Sequence, residues 1–516
     1  MISFRKSLSN AFSNQIRGGG LWLCLLIVLS ASVANGQVTV ENMPKNRGKI
    51  YRMKITPAAE PSPIFKHRFS VPARETIAAN AATLYLRSFG GDTLSNLVDN
   101  AIEKHGDEYS KWRSIDDLPI EGLLDTPAKE VSQTFDQYID DHIERATFCR
   151  YCDWGLGEED LDGIELYGFL LPSVQNTRSI SRVLALQTRV AIAEKRFDRA
   201  AELIRMNYQL GRNVGKIKFL VAGLVGIAEV SITNETLVDM IATPGCPNMY
   251  YALTELPRPM VDLRDAWRLE TNVIETFFPE LFDAEEADLD VEAWRAKVKR
   301  IYKSVYFGSH GMLEEDHPED VGFKDVQSDP SVHQLFLNLT PTVIGVFAYG
   351  DAKQQLVDDG DDPQKVEAMP VAQVVAIAAS RSIRNRSNKV ERWIYQPFDV
   401  ALRGFQQEEK AMMNKGLSRP GEIISGSLLP AGNDILQDQV RMQRGIDALR
   451  VIEAIRMHAA QTGSLPETLD EIKVVPVPKN PATNKPFSYQ FKNGTATLDL
   501  PSSDGLSRSK RFELRL

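Results

Sequence analysis

Cysteine is scarce, four residues in a chain of 516. Exported domains held together by disulfides carry a larger, even set, so a bridge-stapled scaffold is excluded and apolar burial must supply the stability. Positive charge is not in excess either. With 60 Lys and Arg against 69 Asp and Glu, spread along the chain for a formal net charge of −9, nothing draws in a phosphate backbone, and no nucleic acid partner is expected. Long apolar runs are missing as well. The run at residues 21–34 is about 14 residues long, against the roughly 20 that a spanning helix needs. Residues 219–232 and 370–379 are shorter than a span and read as buried helices. No His-Glu-x-x-His, Gly-x-Ser-x-Gly or Walker-type glycine loop occurs, so the common hydrolase and nucleotide signatures fail. Hydrolysis of glycosides by carboxylates on distant segments is left open by that absence.

What is present begins with an export signal. Arg5, Lys6 and Arg17 precede the apolar run, and Ser32-Val33-Ala34 offers small residues for cleavage, the grammar of a signal peptide over residues 1–36. Retention as a membrane anchor is the alternative reading. Cys24 sits inside the apolar core rather than after it, which argues against a lipoprotein box. Cleavage leaves Cys149, Cys152 and Cys246, and a soluble protein of the periplasm or the medium with no transmembrane segment is expected.

With 43% hydrophobic and 25% charged residues the chain has globular composition, and it is long enough for several domains. Residues 37–74, with Pro44, Pro57, Pro61, Pro63 and Pro72, read as an extended leader rather than a core element. From Glu75 onward apolar residues recur at three and four: Ile77, Ala81, Leu84 and Tyr85 predict a helix that Gly90-Gly91 end. The clearest pattern is a helical hairpin over residues 179–212. Val183, Leu186, Val190, Ala193 and Phe197, then Ala200, Leu203 and Ile204, share one face of two helices meeting near Lys195-Arg196. Pro244-Gly245-Cys246-Pro247 and Leu256-Pro257-Arg258-Pro259 stop helices and place a boundary between a helical domain at 75–255 and a second helical subdomain at 256–430. Helical patterning resumes through Trp267, at 291–306 and at 341–356, around an acidic irregular stretch at 308–330. Asp358-Asp359-Gly360-Asp361-Asp362-Pro363 lacks EF-hand spacing and reads as a helix stop at Gly360 and a restart capped by Asp362 with Pro363 in the first turn.

After a break at 430–433, a long helix runs to Gly463 with Ile446, Leu449, Ile452, Ile455 and Ala459 as its stripe. Turns and a hairpin around Asn493-Gly494 follow. The expected class is mainly α: an irregular, repeat-like helical hairpin body with a small C-terminal α+β module, a long helix plus a short β-hairpin, at 431–516.

Phe197-Asp198-Arg199-Ala200 resembles the second-helix signature of a tetratricopeptide unit; Thr188 and Arg212 depart from that pattern, and no second copy occurs. The last 80 or so residues, with Leu465-Pro466 and the segment 480–489, resemble the globular part of type II secretion pseudopilins. The pseudopilin N-terminal signal is missing, so fibre assembly and that family's calcium ligands do not carry over. Cys152-Asp153-Trp154, the hairpin at 182–213, Pro247-Asn248-Met249-Tyr250-Tyr251-Ala252-Leu253 with Leu256-Pro257-Arg258-Pro259, and residues 369–375 resemble a group of uncharacterised exported proteins of planctomycete bacteria. That resemblance implies location and fold style and no activity.

Chemistry is sparsely signalled. Cys149-Arg150-Tyr151-Cys152 has redox spacing, yet a helix rather than a strand is expected upstream at 137–146, Asp153 stands where haem attachment needs His, and only Cys246 remains as a further thiol. A disulfide or buried thiols is the leading reading, with no metal and no cofactor. Asp153 and Trp154, before Gly155, are first suspects for contacting a ligand in a cleft, as an acid beside an aromatic platform; a buried Trp with a capping Asp is the plainer reading. Arg381, Arg384, Lys389 and Arg392 share a helix face that could meet an anionic partner or simply be solvated. No catalytic residue is assigned. A non-catalytic binding protein of the cell envelope, taking a protein or envelope component in a groove between hairpins, is expected; an exported hydrolase of glycan or peptide and a secretion-apparatus accessory are the alternatives.

Overall fold

Among the described residues seven strands and a larger set of helices build the protein. A computed structural model describes residues 37–43, 48–89, 93–155, 163–277, 279–298, 348–415, 432–501 and 509–516. The segment 1–36 expected to be a signal peptide, Gly90-Gly91, the acidic stretch 308–330, the helix portions expected at 299–306 and 341–347, and the break at 430–431 lie outside the described residues.

The helical hairpin is formed by α1 (Gly163–Ala193) and α2 (Phe197–Val214). Lys195 takes a left-handed φ of 58° between them. Asp198 lies in the first turn of α2 and Arg212 in its last, each the charge that the helix dipole favours there. A third helix, α3 (Leu220–Ala242), is apolar on nearly every side and packs against both, as expected of a helix enclosed by others. It runs well past residue 232, because Thr233, Asn234 and Thr236 interrupt the apolar run without breaking the helix and are themselves buried. By length and composition α3 could cross a membrane, yet 67% of its most apolar window is inside the protein. Glycines let α2 and α3 touch: a Cβ on Gly226 would lie 2.5 Å from the Gly211 carbonyl oxygen.

Downstream come α4 (Arg264–Phe277), α5 (Val371–Ile394), α6 (Phe398–Lys415) and α7 (Gly432–Thr462). Leu281, Phe282, Trp294, Leu356, Val366, Val374 and Ile377 make a second apolar cluster beside the main core. The stop at Gly360, with φ +106°, and the restart at Asp362, whose carboxylate accepts from the Gln364 amide at 2.9 Å, are as expected. Helix α7 buries its apolar stripe as expected and a second, charged stripe that was not: Arg444, Asp447, Arg450, Glu453 and Arg456 recur every third residue and are all buried.

The sheet has the order β1-β2-β7-β6-β5. Strands β5 (Ser488–Lys492) and β6 (Thr495–Leu500) form the hairpin at Asn493-Gly494, both left-handed. Strand β7 (Lys510–Arg515) pairs with β6, and then, in parallel, with β2 (Lys49–Lys54), which pairs with β1 (Val38–Asn42). The leader therefore belongs to the core. Tyr51, Met53, Ile55 and Phe69 are buried, and Tyr51 stacks on Phe512 at 5.2 Å. Period-two alternation in residues 50–55, which flanking prolines conceal, dictates this. The helix expected from Ile77 starts at Ala81; Ile77 is exposed in β3 (Ile77–Asn80), paired with β4 (Cys149–Tyr151). Among the described residues the protein is mainly helical, 61%, with a small sheet built largely from C-terminal strands, as the pattern of apolar spacing predicts.

Candidate functional site

Helix α2 ends on a stretch rich in cations and free of acids: Arg212, Lys216 and Lys218 occur within residues 211–219 without a carboxylate. This turn forms one wall of an open cleft of about 490 Å³. The segment after β4 supplies Cys152, Asp153 and Trp154, and the prolines around Arg258 with the start of α4 supply the opposite wall, including Asp262, Arg264 and Asp265. Five basic side chains line it against three carboxylates.

The first suspects do lie here, but as framework. Trp154 is only 6% exposed, stacks on Tyr85 at 5.8 Å and 13°, and donates its indole N–H to the Asn213 carbonyl at 2.9 Å. Its ring is thus spent on the core and offers no platform. Asp153 caps a turn: its carboxylate accepts from the Gly155 amide at 3.1 Å, while its backbone exchanges bonds with the Asn80 side chain at 2.6 and 2.9 Å. Asp262 is gripped by Arg264 through Nε at 2.8 and 3.0 Å. Burial alone would raise the Asp262 carboxyl, but that fork holds it below its ordinary value. Asp265 faces Arg268 at 3.8 Å, and Arg258 reaches out of the cleft to Asp447.

Arg212 and Lys216 are left over. Neither makes an ion pair among the described residues. Burial lowers the pKa of Arg212; burial, and then the neighbouring Arg212 charge, lowers that of Lys216. Arg212 is half-buried and Lys216 exposed at the rim, and two like charges in one cleft are stabilised by any anion that enters it.

Comparison with protein-family models, with curated proteins and with solved structures finds no match. The site is therefore read from its own chemistry.

Among the described residues Cys149, Cys152 and Cys246 are free and buried. Burial pushes the Cys152 and Cys246 thiols up to about 12 and raises Cys149, which disfavours the thiolate that redox work requires. The basic face of α5 is largely neutralised. Arg381 pairs with Glu285 at 2.7 Å and with Asp361 at 2.5 Å, Arg384 with Glu275 at 3.2 Å, and Arg392 with Glu408; Lys389 is exposed without an ion pair among the described residues. A further cavity of about 510 Å³ holds Lys129, Asp136, Asp140, Glu194, Arg196 and Arg199. Its charges largely close on one another: Lys129 and Arg196 on Glu194 at 2.7 and 2.5 Å, and Arg199 on Asp140 at 3.1 Å. The cleft at Arg212 is thus the stronger candidate. Sequence reasoning passed over Arg212 and Lys216; the signal that finds them is a cluster of cations at a helix C-terminus with no acid within reach in sequence.

Proposed function

We propose that the protein is an exported, non-catalytic binding protein of the cell envelope that takes an anionic group of an envelope component in the cleft at Arg212 and Lys216. The observation that carries this reading is the pair of partly desolvated cations left without a carboxylate. Occupation of the cleft carboxylates supports binding rather than hydrolysis: Asp153 is taken by an amide, Asp262 and Asp265 by arginines. The signal-peptide grammar and the likeness to exported planctomycete proteins support the location. Titration of the full chain with polygalacturonate and with dextran sulfate, as defined polyanions, tests the proposal. Binding that weakens with salt and drops about tenfold or more in the Arg212→Ala/Lys216→Ala variant is expected. Failure of both polyanions, or equal binding by the double variant, would overturn it.

A further inference from the structure

A smaller cavity, about 270 Å³, lies between residues 110–115, α1 and α3. That is several times the ~30 Å³ share of one water molecule. Three guanidinium groups line it: Arg189, which is tied to Asp239, and two without an acid, Arg113 after the short helix Asp107–Lys111 and Arg182 on the exposed side of α1. We propose that this cavity binds a small tetrahedral oxyanion between Arg113 and Arg182, with the hydroxyls of Ser110 and Ser114 completing the donor set.

The carboxylates on this wall are already committed. Asp239 is held by Arg189 at 2.7 Å, and Arg189 spends its other N–H groups on the carbonyls of Trp112, Ser114 and Leu118. Glu235 lies 3.9 Å from Lys49 and 3.7 Å from Lys510. Neither Arg113 nor Arg182 makes an ion pair among the described residues. Arg113 is half-buried, donates through Nη2 to the Ser110 hydroxyl at 2.9 Å, sits 4.4 Å over the Tyr109 ring and leaves a buried Nε unbonded. Burial first, and the Arg182 charge after it, press its pKa down, so the two cations feel one another. Ser110 and Ser114 each accept a bond, from Arg113 and from the Asp116 amide at 3.2 Å. Their own protons remain to donate. Two planar forks and two hydroxyls from separate elements suit an anion with oxygens in several directions, and its charge offsets the repulsion between the two guanidinium groups.

Calorimetric titration of the full chain with inorganic phosphate, sulfate, acetate and chloride at matched ionic strength tests this. Saturable, stoichiometric binding of phosphate and sulfate is expected, with a rise in Tm. Arg182→Ala, at an exposed helix position that tolerates truncation, weakens it about tenfold or more, while Arg212→Ala/Lys216→Ala leaves it unchanged. Arg182→Glu sets a carboxylate in the oxyanion's place: it abolishes the phosphate response and raises Tm in phosphate-free buffer. An equal response to acetate or chloride, undiminished binding by Arg182→Ala, or loss only in the Arg212 and Lys216 variant overturns the proposal; the last outcome assigns the oxyanion to the larger cleft instead.

Discussion

Glu229 has no exposed surface, and neither carboxyl oxygen closes a hydrogen bond. Thr177 and Arg178 of α1 are its polar neighbours, but the Thr177 hydroxyl is spent on the Val174 carbonyl at 2.8 Å. Burial pushes this carboxyl up to about 8 from 4.5. Folded protein then keeps a proton that the unfolded chain releases, so stability falls as pH rises from 4.5 to 8 and the penalty is complete above 8. Glu229→Gln is expected to gain roughly 5 kcal/mol over wild type above pH 8 and to come within about 1 kcal/mol of it near pH 5. Urea denaturation at both pH values checks this; a gap that does not change with pH would refute it. Sequence reads residues 219–232 as a buried helix, but nothing local says that its one acid faces no donor instead of the helix's outer side. Arg212 and Lys216 were equally silent, because three-and-four spacing reports which side of a helix is greasy and not which charges lack a counterion.

Elements were more legible than residues. The hairpin of α1 and α2, the helix α7, the capped restart at Asp362 and the Asn493-Gly494 turn all follow from local rules, since helix periodicity, caps and tight turns are decided by residues within a few positions of one another. Ile77 misled because it stands four residues before Ala81, the first residue of the helix, and so extends its i, i+4 spacing backward, while its strand partner at Cys149 is far along the chain. Helix α7 shows the other limit. Its apolar stripe predicts one buried face, yet Arg456 donates to both oxygens of Glu453 at 2.9 and 3.0 Å, to the Thr56 carbonyl at 2.9 Å and to the Cys246 carbonyl at 2.7 Å. Arg450 bonds Asp447 at 3.1 Å one turn earlier, and Arg444 reaches the Pro501 carbonyl. This ladder fastens α7 to the N-terminal segment, to the loop after α3 and to the end of β6. Glu453→Gln leaves Arg456 charged and buried without its counterion, and a loss of about 3–5 kcal/mol in unfolding free energy is expected. Glu453→Gln paired with Arg456→Met removes both charges and should recover most of it; a double variant as unstable as the single one would show that Arg456 acts through its carbonyl bonds alone.

At the scale of the whole molecule, residues Gly36–Leu516 form one compact unit, and the sheet is the reason that its two ends cannot be treated apart. Sequence places the leader and the C-terminal module at opposite ends, and nothing local says that Tyr51 and Met53 are to sit beside Phe512 and Leu514. A parallel pairing between strands so far apart costs loop-closure entropy that only tertiary burial can offset. Tyr51, Met53 and Ile55 are each 2% exposed or less, and burying such side chains contributes roughly 1.5–3 kcal/mol apiece. Their sum, about 6 kcal/mol, is comparable to the ~5–15 kcal/mol that holds a domain folded. Deleting residues 37–56 also removes the Thr56 carbonyl from Arg456 and opens β7 as a bare edge beside Phe512. The truncated chain should therefore lose its cooperative thermal transition or show it roughly 10 °C lower, since each kcal/mol moves Tm by about 2 °C or less in a unit of this size. A fragment of residues 431–516 expressed alone should show no sharp melting and should gain order when a peptide of residues 37–56 is added. Sharp melting by the fragment alone would mean that β5, β6, β7 and α7 suffice, and that β2 decorates the sheet instead of completing it.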